Sequence, residues 1–164
     1  MTARHDGSWT HMDKAFKRAE GLLENWMKQH HDKDCYPPTI INITDGEYNG
    51  VSHDEMQQLS NQLKSMFTND GNVLLFNIHV VPGHTESMVF PASLGELNHN
   101  GYGEKLYNMA SLLLLNYNEQ IRAIFGDKQT DIRYHAMGVN TGMERLVKMM
   151  KIGTLSSMLV NNNQ

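Results

Sequence analysis

The chain has 164 residues, of which 40 % are hydrophobic and 20 % charged, and its formal net charge is −4. A chain of this length buries well over half of its unfolded surface, so we expect one domain with a real core. The small acidic excess offers no broad positive field for phosphate backbones, which argues against a nucleic-acid partner. The single cysteine, Cys35, excludes an internal disulfide and a thiolate zinc cluster.

Membrane and targeting signals are not visible in the sequence. The most apolar run, residues 112–115, is too short to span a bilayer, and residues 1–9 are polar rather than a secretory leader. We therefore expect a cytoplasmic protein without membrane contacts.

The first periodic segment covers residues 11–30 and predicts an α-helix. Its apolar residues recur at intervals of three and four, which places them on one stripe, while charged residues occupy the other face. The predicted inward residues are Met12, Ala15, Phe16, Ala19, Leu22, Leu23, Trp26 and Met27.

A proline-marked connector then leads into a β-branched, mostly apolar run at residues 39–44. Such a run without strict alternation is typical of a strand buried on both faces, as in a parallel sheet. The strand is predicted to stop at Asp45-Gly46-Glu47, because these residues favour turns.

Residues 52–67 predict a second helix, with Ser52 as its cap and Glu55 completing a capping box. Its apolar stripe is predicted to include Met56, Leu59, Leu63, Met66 and Phe67. Residues 72–81 form a second buried strand in this prediction, and a long irregular stretch follows at residues 82–103.

Residues 104–125 predict a helix with a break near Asn116, and residues 134–139 a short strand. Residues 141–152 predict the last helix, which Gly153 ends. Its predicted inward residues are Met143, Leu146, Val147 and Met150.

Strands and helices therefore alternate, which predicts an α/β, Rossmann-like fold: a mostly parallel sheet with helices on both faces. In such folds the chemistry lies beyond the carboxyl ends of the strands. Asp45 is predicted to occupy this position.

Several blocks of the sequence occur in an order that resembles one known family. They are the run Pro-Pro-Thr-Ile-Ile-Asn-Ile-Thr-Asp-Gly-Glu at residues 37–47, together with residues 6–12, 71–77, 89–91, 109–111, 137–140 and 152–154. The first block is similar to the strand and metal loop of bacterial von Willebrand factor A-like domains, and the others follow that family's order. By this resemblance, residues 1–154 are a partial von Willebrand factor A-like domain and residues 155–164 a flexible C-terminal tail.

The resemblance implies a non-enzymatic module that binds a protein partner through a metal-ion-dependent adhesion site. In that family a Mg²⁺ or Mn²⁺ ion is held by an Asp-x-Ser-x-Ser loop, a threonine and an aspartate, and it accepts a carboxylate from the partner. Hydroxyls and carboxylates are the hard oxygen ligands that Mg²⁺ requires. Thr10 matches the threonine and Asp45 the aspartate, and Glu47 is a neighbouring candidate.

The chain departs from the family because it contains no Asp-x-Ser-x-Ser. The resemblance implies a domain truncated at its N-terminus, which lacks the first three strands of an order three, two, one, four, five, six. Residues 39–44 would then form a bare edge strand, which tends to recruit another strand. We therefore expect either a longer native chain, a homo-oligomer or a second polypeptide that completes the sheet.

Other interpretations remain open at this point. Asp45 is also typical of an ordinary turn, Thr10 of a helix cap, and Glu47 of a solvated side chain. A metal-dependent hydrolase that uses His79, His84 and Asp45 is a second hypothesis, and it requires these residues to converge. A third is an inactive fragment that needs a partner chain.

Overall fold

In this computed structural model, the described residues are 10–30, 33, 35–83, 86–97, 101–126 and 128–154. The helices among them are α1 (Met12–His30), α2 (His53–Ser65), α3 (Gly101–Met109), α4 (Asn118–Phe125) and α5 (Met143–Gly153). The strands are β1 (Thr39–Thr44), β2 (Phe67–Thr68), β3 (Gly71–Asn72), β4 (Leu74–His79), β5 (Met88–Val89) and β6 (Met137–Val139).

The main sheet has the strand order β1-β4-β6-β5. Strands β1, β4 and β6 are parallel, and β5 pairs antiparallel to β6 at one edge. Strand β1 forms the other edge and pairs along its whole length with β4, from Thr39 opposite Leu74 to Thr44 opposite His79. The predicted mostly parallel sheet is confirmed, and among the described strands residues 39–44 lie at its edge, as expected.

Helices cover both faces of the sheet, as predicted. Helices α1, α2 and α3 pack over one face, in a core that includes Phe16, Met56 and Leu106. Helices α4 and α5 pack over the other face, with Ile121 and Met149 in the core. Because side chains of successive residues in β4 point to opposite faces, its buried residues contribute to both cores.

The predicted capping box of α2 is confirmed. The Ser52 hydroxyl accepts a hydrogen bond from the Glu55 main-chain nitrogen (3.2 Å), and the Glu55 carboxylate accepts one from the Ser52 main-chain nitrogen (2.9 Å). The helix ends two residues earlier than predicted, so Phe67 lies in β2 with its side chain exposed.

The prediction of a helical stretch over residues 104–125 with a break near Asn116 is confirmed in part, because this stretch forms α3 and α4 with an extended segment between them. In that segment the main-chain nitrogen of Ser111 donates to Leu75 (2.9 Å) and that of Leu113 to Tyr134 (2.8 Å). These long-range bonds replace helical ones. The break was predicted near Asn116, but it begins earlier, directly after Met109.

The predicted inward face of α5 is also wrong in part. Met149 and Ile152 are its buried apolar residues, whereas Met143, Val147 and Met150 are exposed. The same holds for α1, where Ala15 and Leu22 are exposed instead of buried. The apolar arc of each helix is thus wider than the face that packs on the sheet.

Two sequence predictions fall outside the described residues: the polar N-terminal segment 1–9 and the flexible tail 155–164. Among the residues that the structure does describe, no helix has the length and apolar character needed to cross a membrane.

Candidate functional site

The turn after β1 presents Asp45 at the carboxyl end of the sheet. The Thr44 hydroxyl accepts a hydrogen bond from the Gly46 main-chain nitrogen (3.0 Å), and one Asp45 carboxylate oxygen accepts one from the Glu47 nitrogen (3.1 Å). Such bonds from a side chain to the main chain two residues later stabilise a tight turn. Asp45 and Glu47 are nevertheless exposed, so their carboxylates are accessible from solvent.

Gly46 allows this turn to lie against α3. Its φ is +88°, a backbone conformation that side-chain-bearing residues rarely adopt. A Cβ at this position would lie 2.6 Å from the Cβ of Tyr102. The turn therefore requires glycine both for its conformation and for the close approach of Tyr102.

His79, the last residue of β4, fixes the main chain of the same turn. Its Nε2 donates to the main-chain oxygen of Asp45 (3.0 Å), and the residue is only 2 % exposed. Burial lowers the pKa of His79, although the contact with Asp45 opposes this effect, so the ring is neutral near pH 7. The hydrolase hypothesis requires the side chains of His79, His84 and Asp45 to converge, whereas the contact between His79 and Asp45 is made to the Asp45 main chain.

Thr10 lies against the same loop. Its main-chain oxygen accepts a hydrogen bond from the Asn49 nitrogen (3.0 Å), and the residue is exposed. The structure therefore brings Thr10, Asp45 and Glu47 to one end of the sheet, with Thr10 just before α1 and the two acids just after β1. His84, the remaining residue of the hydrolase hypothesis, lies outside the described residues.

The rim of the site contains groups that sequence reasoning missed. The Lys105 ammonium lies 5.3 Å from the ring centre of Tyr102 and 5.7 Å from that of Tyr48, and both are cation–π contacts. The Tyr48 hydroxyl is 2.9 Å from Nδ1 of His53, and burial is the main cause that raises the pKa of Tyr48. Tyr102 belongs to α3, whose first residues lie in the stretch predicted to be irregular, so no periodic signal pointed to it.

The described residues do not contain a complete set of ligands for a metal ion. Mg²⁺ prefers six oxygen ligands in octahedral geometry. An exposed carboxylate at Asp45 and an exposed hydroxyl at Thr10 suit such an ion, but no group of three or more His, Cys, Asp or Glu residues converges within the described ranges. The described residues therefore do not form a complete cation site by themselves.

The outer edge of β1 adjoins this site. The main-chain oxygens of Pro38 and Thr44 accept hydrogen bonds from Leu74 and Val80 of the β4 segment. In a parallel sheet, successive residues of an edge strand direct their main-chain groups alternately towards the neighbouring strand and away from it. The even-numbered residues of β1 therefore face β4, and the main-chain groups of Ile41 and Ile43 point to the other side. Among the described residues no strand pairs with that side.

Comparison of the chain with models of protein families, with curated proteins and with solved structures found no match.

Proposed function

We propose that the chain is a non-enzymatic protein-binding module in which β1 accepts a parallel strand from another polypeptide. Asp45 and Thr10 contribute to a Mg²⁺ or Mn²⁺ site that is shared with this strand. The observation that carries the proposal is the position of Asp45, which directly follows a strand whose outer edge is unpaired among the described residues.

Strand β1 has the character of an interior strand. It is six residues long and mostly apolar, and the side chain of Ile43 is 57 % exposed at its carboxyl end. Free edges of this kind are usually short, charged or covered, because an apolar edge recruits other strands. Main-chain hydrogen bonds along such an edge are a common basis for binding an extended segment.

A parallel strand beside β1 would place its own carboxyl end next to Asp45. The loop that follows this strand can then add oxygen ligands to those of Asp45 and Thr10. This arrangement agrees with the resemblance to von Willebrand factor A-like domains, in which the Asp-x-Ser-x-Ser loop follows the neighbouring strand. When bound, the ion has a coordination position that accepts a carboxylate of the protein partner. Glu47 contacts the ion through water.

The test is a selection against a displayed library of genomic fragments from the source organism, each of about 100 residues, the size of a small domain. The immobilised chain should retain specific fragments in Mg²⁺ and release them in EDTA. Asp45→Ala should weaken the binding of the selected fragments at least tenfold, whereas Asp131→Ala, at an exposed acid in a loop after α4, should leave it unchanged.

A pair of variants at one position tests the role of the strand edge. Ile43→Pro removes an outward main-chain donor without breaking a bond to β4, whereas Ile43→Thr keeps this donor and a β-branched side chain. Fragment binding should be lost in the first variant and retained in the second. Equal binding by both would refute strand pairing at β1, and binding that is unaffected by EDTA and by Asp45→Ala would refute the shared metal site.

A further inference from the structure

An apolar stripe runs along the exposed side of α5. Met143, Val147 and Met150 follow one another at intervals of four and three, which places them on one side of the helix. Met143 is 74 % exposed, and the other two are also exposed. Because these side chains adjoin one another, they form a contiguous apolar patch, and such patches are typical of surfaces that bind a partner.

The stripe faces the side of the molecule where β1 is open. Arg145 donates to the main-chain oxygen of Ser87 (3.5 Å), next to β5 at the opposite edge of the sheet. Successive residues of a helix are rotated by about 100° around its axis, which places the stripe and Arg145 on opposite sides of the buried Met149. Because Arg145 points towards β5, the stripe points towards the β1 edge. Gly153, in the last turn of α5, lies against Thr39 of β1, as the Thr39 hydroxyl donates to its main-chain oxygen.

The other helical layer also exposes two apolar residues, Ala15 and Leu22, on one side of α1. On α1, Asp13 and Lys17 pair with each other and lie near Glu55 of α2, since both affect its pKa. Ala15 and Leu22 lie on the other side of Phe16, away from α2, and Leu22 is 56 % exposed. Helix α1 also contacts β1, because the Asn42 side chain donates to the sulfur of Met12.

We infer that the partner is a folded α/β unit, in which a strand is flanked by an amphipathic helix on each face, rather than an isolated extended peptide. This inference rests on the proposed function, because the strand of this unit is the one that pairs with β1. One of its helices packs against Met143, Val147 and Met150, and the other against Ala15 and Leu22. All three layers of the molecule thus continue into the partner.

The size of this surface suits a stable interface. A six-residue strand is roughly 20 Å long, and the sheet with one helix layer on each face is roughly 30 Å thick. The exposed side is therefore on the order of 600 Å², close to the roughly 800 Å² that each partner buries in a typical stable complex.

A second copy of the chain fits this surface less well. Two copies related by a twofold axis would pair β1 with β1 in antiparallel orientation and place their Asp45 turns at opposite ends of the joined strands. Only a parallel strand brings its following loop beside Asp45. We therefore assign the surface to a different polypeptide.

The experiment uses the same library of displayed genomic fragments, now with variants of the helices. Leu22→Glu on α1 and Val147→Glu on α5 place a charge among the exposed apolar residues of each helix. Each should weaken the binding of selected fragments at least tenfold, and the fragments should contain an apolar strand with a helix-forming amphipathic segment before or after it. Arg122→Glu, at an exposed position on α4, should leave binding unchanged.

The failures of the two proposals are distinguishable. The selected fragments could instead carry only an extended segment and need the main-chain donor of residue 43, but bind Leu22→Glu and Val147→Glu normally. This result would support strand pairing and overturn the inference. Dimerisation of the chain in sedimentation experiments, abolished by Val147→Glu, would overturn it in favour of a second copy. Fragments that bind Ile43→Pro normally would contradict the proposed function itself.

Discussion

Gly46 is the residue on which the geometry of the candidate site depends most. Its positive φ turns the chain out of β1, and its lack of a side chain lets Tyr102 approach. Asp45 and Glu47 are exposed on either side of it. The sequence predicts a turn here from residue type, but the contact with Tyr102 could not be predicted, because it joins residues 56 positions apart.

Gly46→Ala should lower the free energy of unfolding by about 2–3 kcal/mol, since it adds a steric clash to an unfavourable φ. Gly126→Ala is the matched control, because Gly126 has a similar φ of +84° and no atom within 4 Å of its would-be Cβ. The control should cost only about 1 kcal/mol. Urea denaturation of both variants measures the difference, and equal losses would show that Tyr102 moves away at no cost.

We predict that the stability of the protein depends on pH through His135. Its ring stacks on Tyr107 at 3.7 Å, and its Nδ1 is buried with no hydrogen-bond partner among the described residues. Burial, followed by the charges of Lys64 and Arg133, lowers the pKa of His135 to about 4. Because the folded pKa is below the unfolded one of about 6.5, the unfolded chain binds more protons between these values. Stability contributed by this residue is therefore lost as the pH falls from about 6.5 towards 4.

His135→Phe keeps a stacked ring and removes the titration. Compared with the wild type, it should lose roughly 1–2 kcal/mol less between pH 7 and pH 4.5, a figure reduced from the full shift because the ring is only partly buried. Unfolding in urea at the two pH values provides the measurement. Parallel losses in the two proteins would mean that the pKa of His135 is close to its ordinary value.

At the scale of single elements, α2 shows what local sequence signals can predict. Its start was predicted from Ser52 and Glu55 alone, because a capping box involves only residues three positions apart. The two-residue strand β5 was not predicted, since it is too short to show any periodicity. The break between α3 and α4 was placed too late, because it depends on hydrogen bonds to distant residues such as Leu75 and Tyr134.

Ser52→Ala should destabilise the protein by about 1 kcal/mol, because the Glu55 main-chain nitrogen loses its acceptor. Ser65→Ala, at the exposed C-terminal end of the same helix, should have a smaller effect. Thermal unfolding followed by circular dichroism compares the two variants. An effect of Ser65→Ala as large as that of Ser52→Ala would argue against a specific role of the cap.

The helix faces were harder to predict than the helices themselves. Periodicity gives the apolar arc of α1 and α5 but does not distinguish side chains that pack on the sheet from those that face outwards. Leu22 and Val147 were therefore predicted to be buried, and both are exposed. Their exposure on the open side of the molecule is what supports a partner with helices.

At the scale of the whole molecule, the two edges of the sheet differ. The edge formed by β5 is only two residues long, whereas β1 has six residues and none of the described strands pairs with its outer side. Alternation of strands and helices predicted the parallel sheet, and the resemblance to a known family predicted the edge position of β1. The sequence offers Asp45, Thr10 and Glu47 as candidate metal ligands, and no group of three or more His, Cys, Asp or Glu residues that could hold an ion lies within the described part of the chain.

The most direct test of an open β1 edge is amide hydrogen exchange measured residue by residue by NMR on the isolated chain at a concentration where it is monomeric. The amides of Asn42 and Thr44 bond to β4 and should exchange slowly, whereas those of Ile41 and Ile43 point outwards and should exchange much faster. Equal protection of all four amides in the monomer would contradict the account, because it would mean that the edge assigned to a partner is already covered.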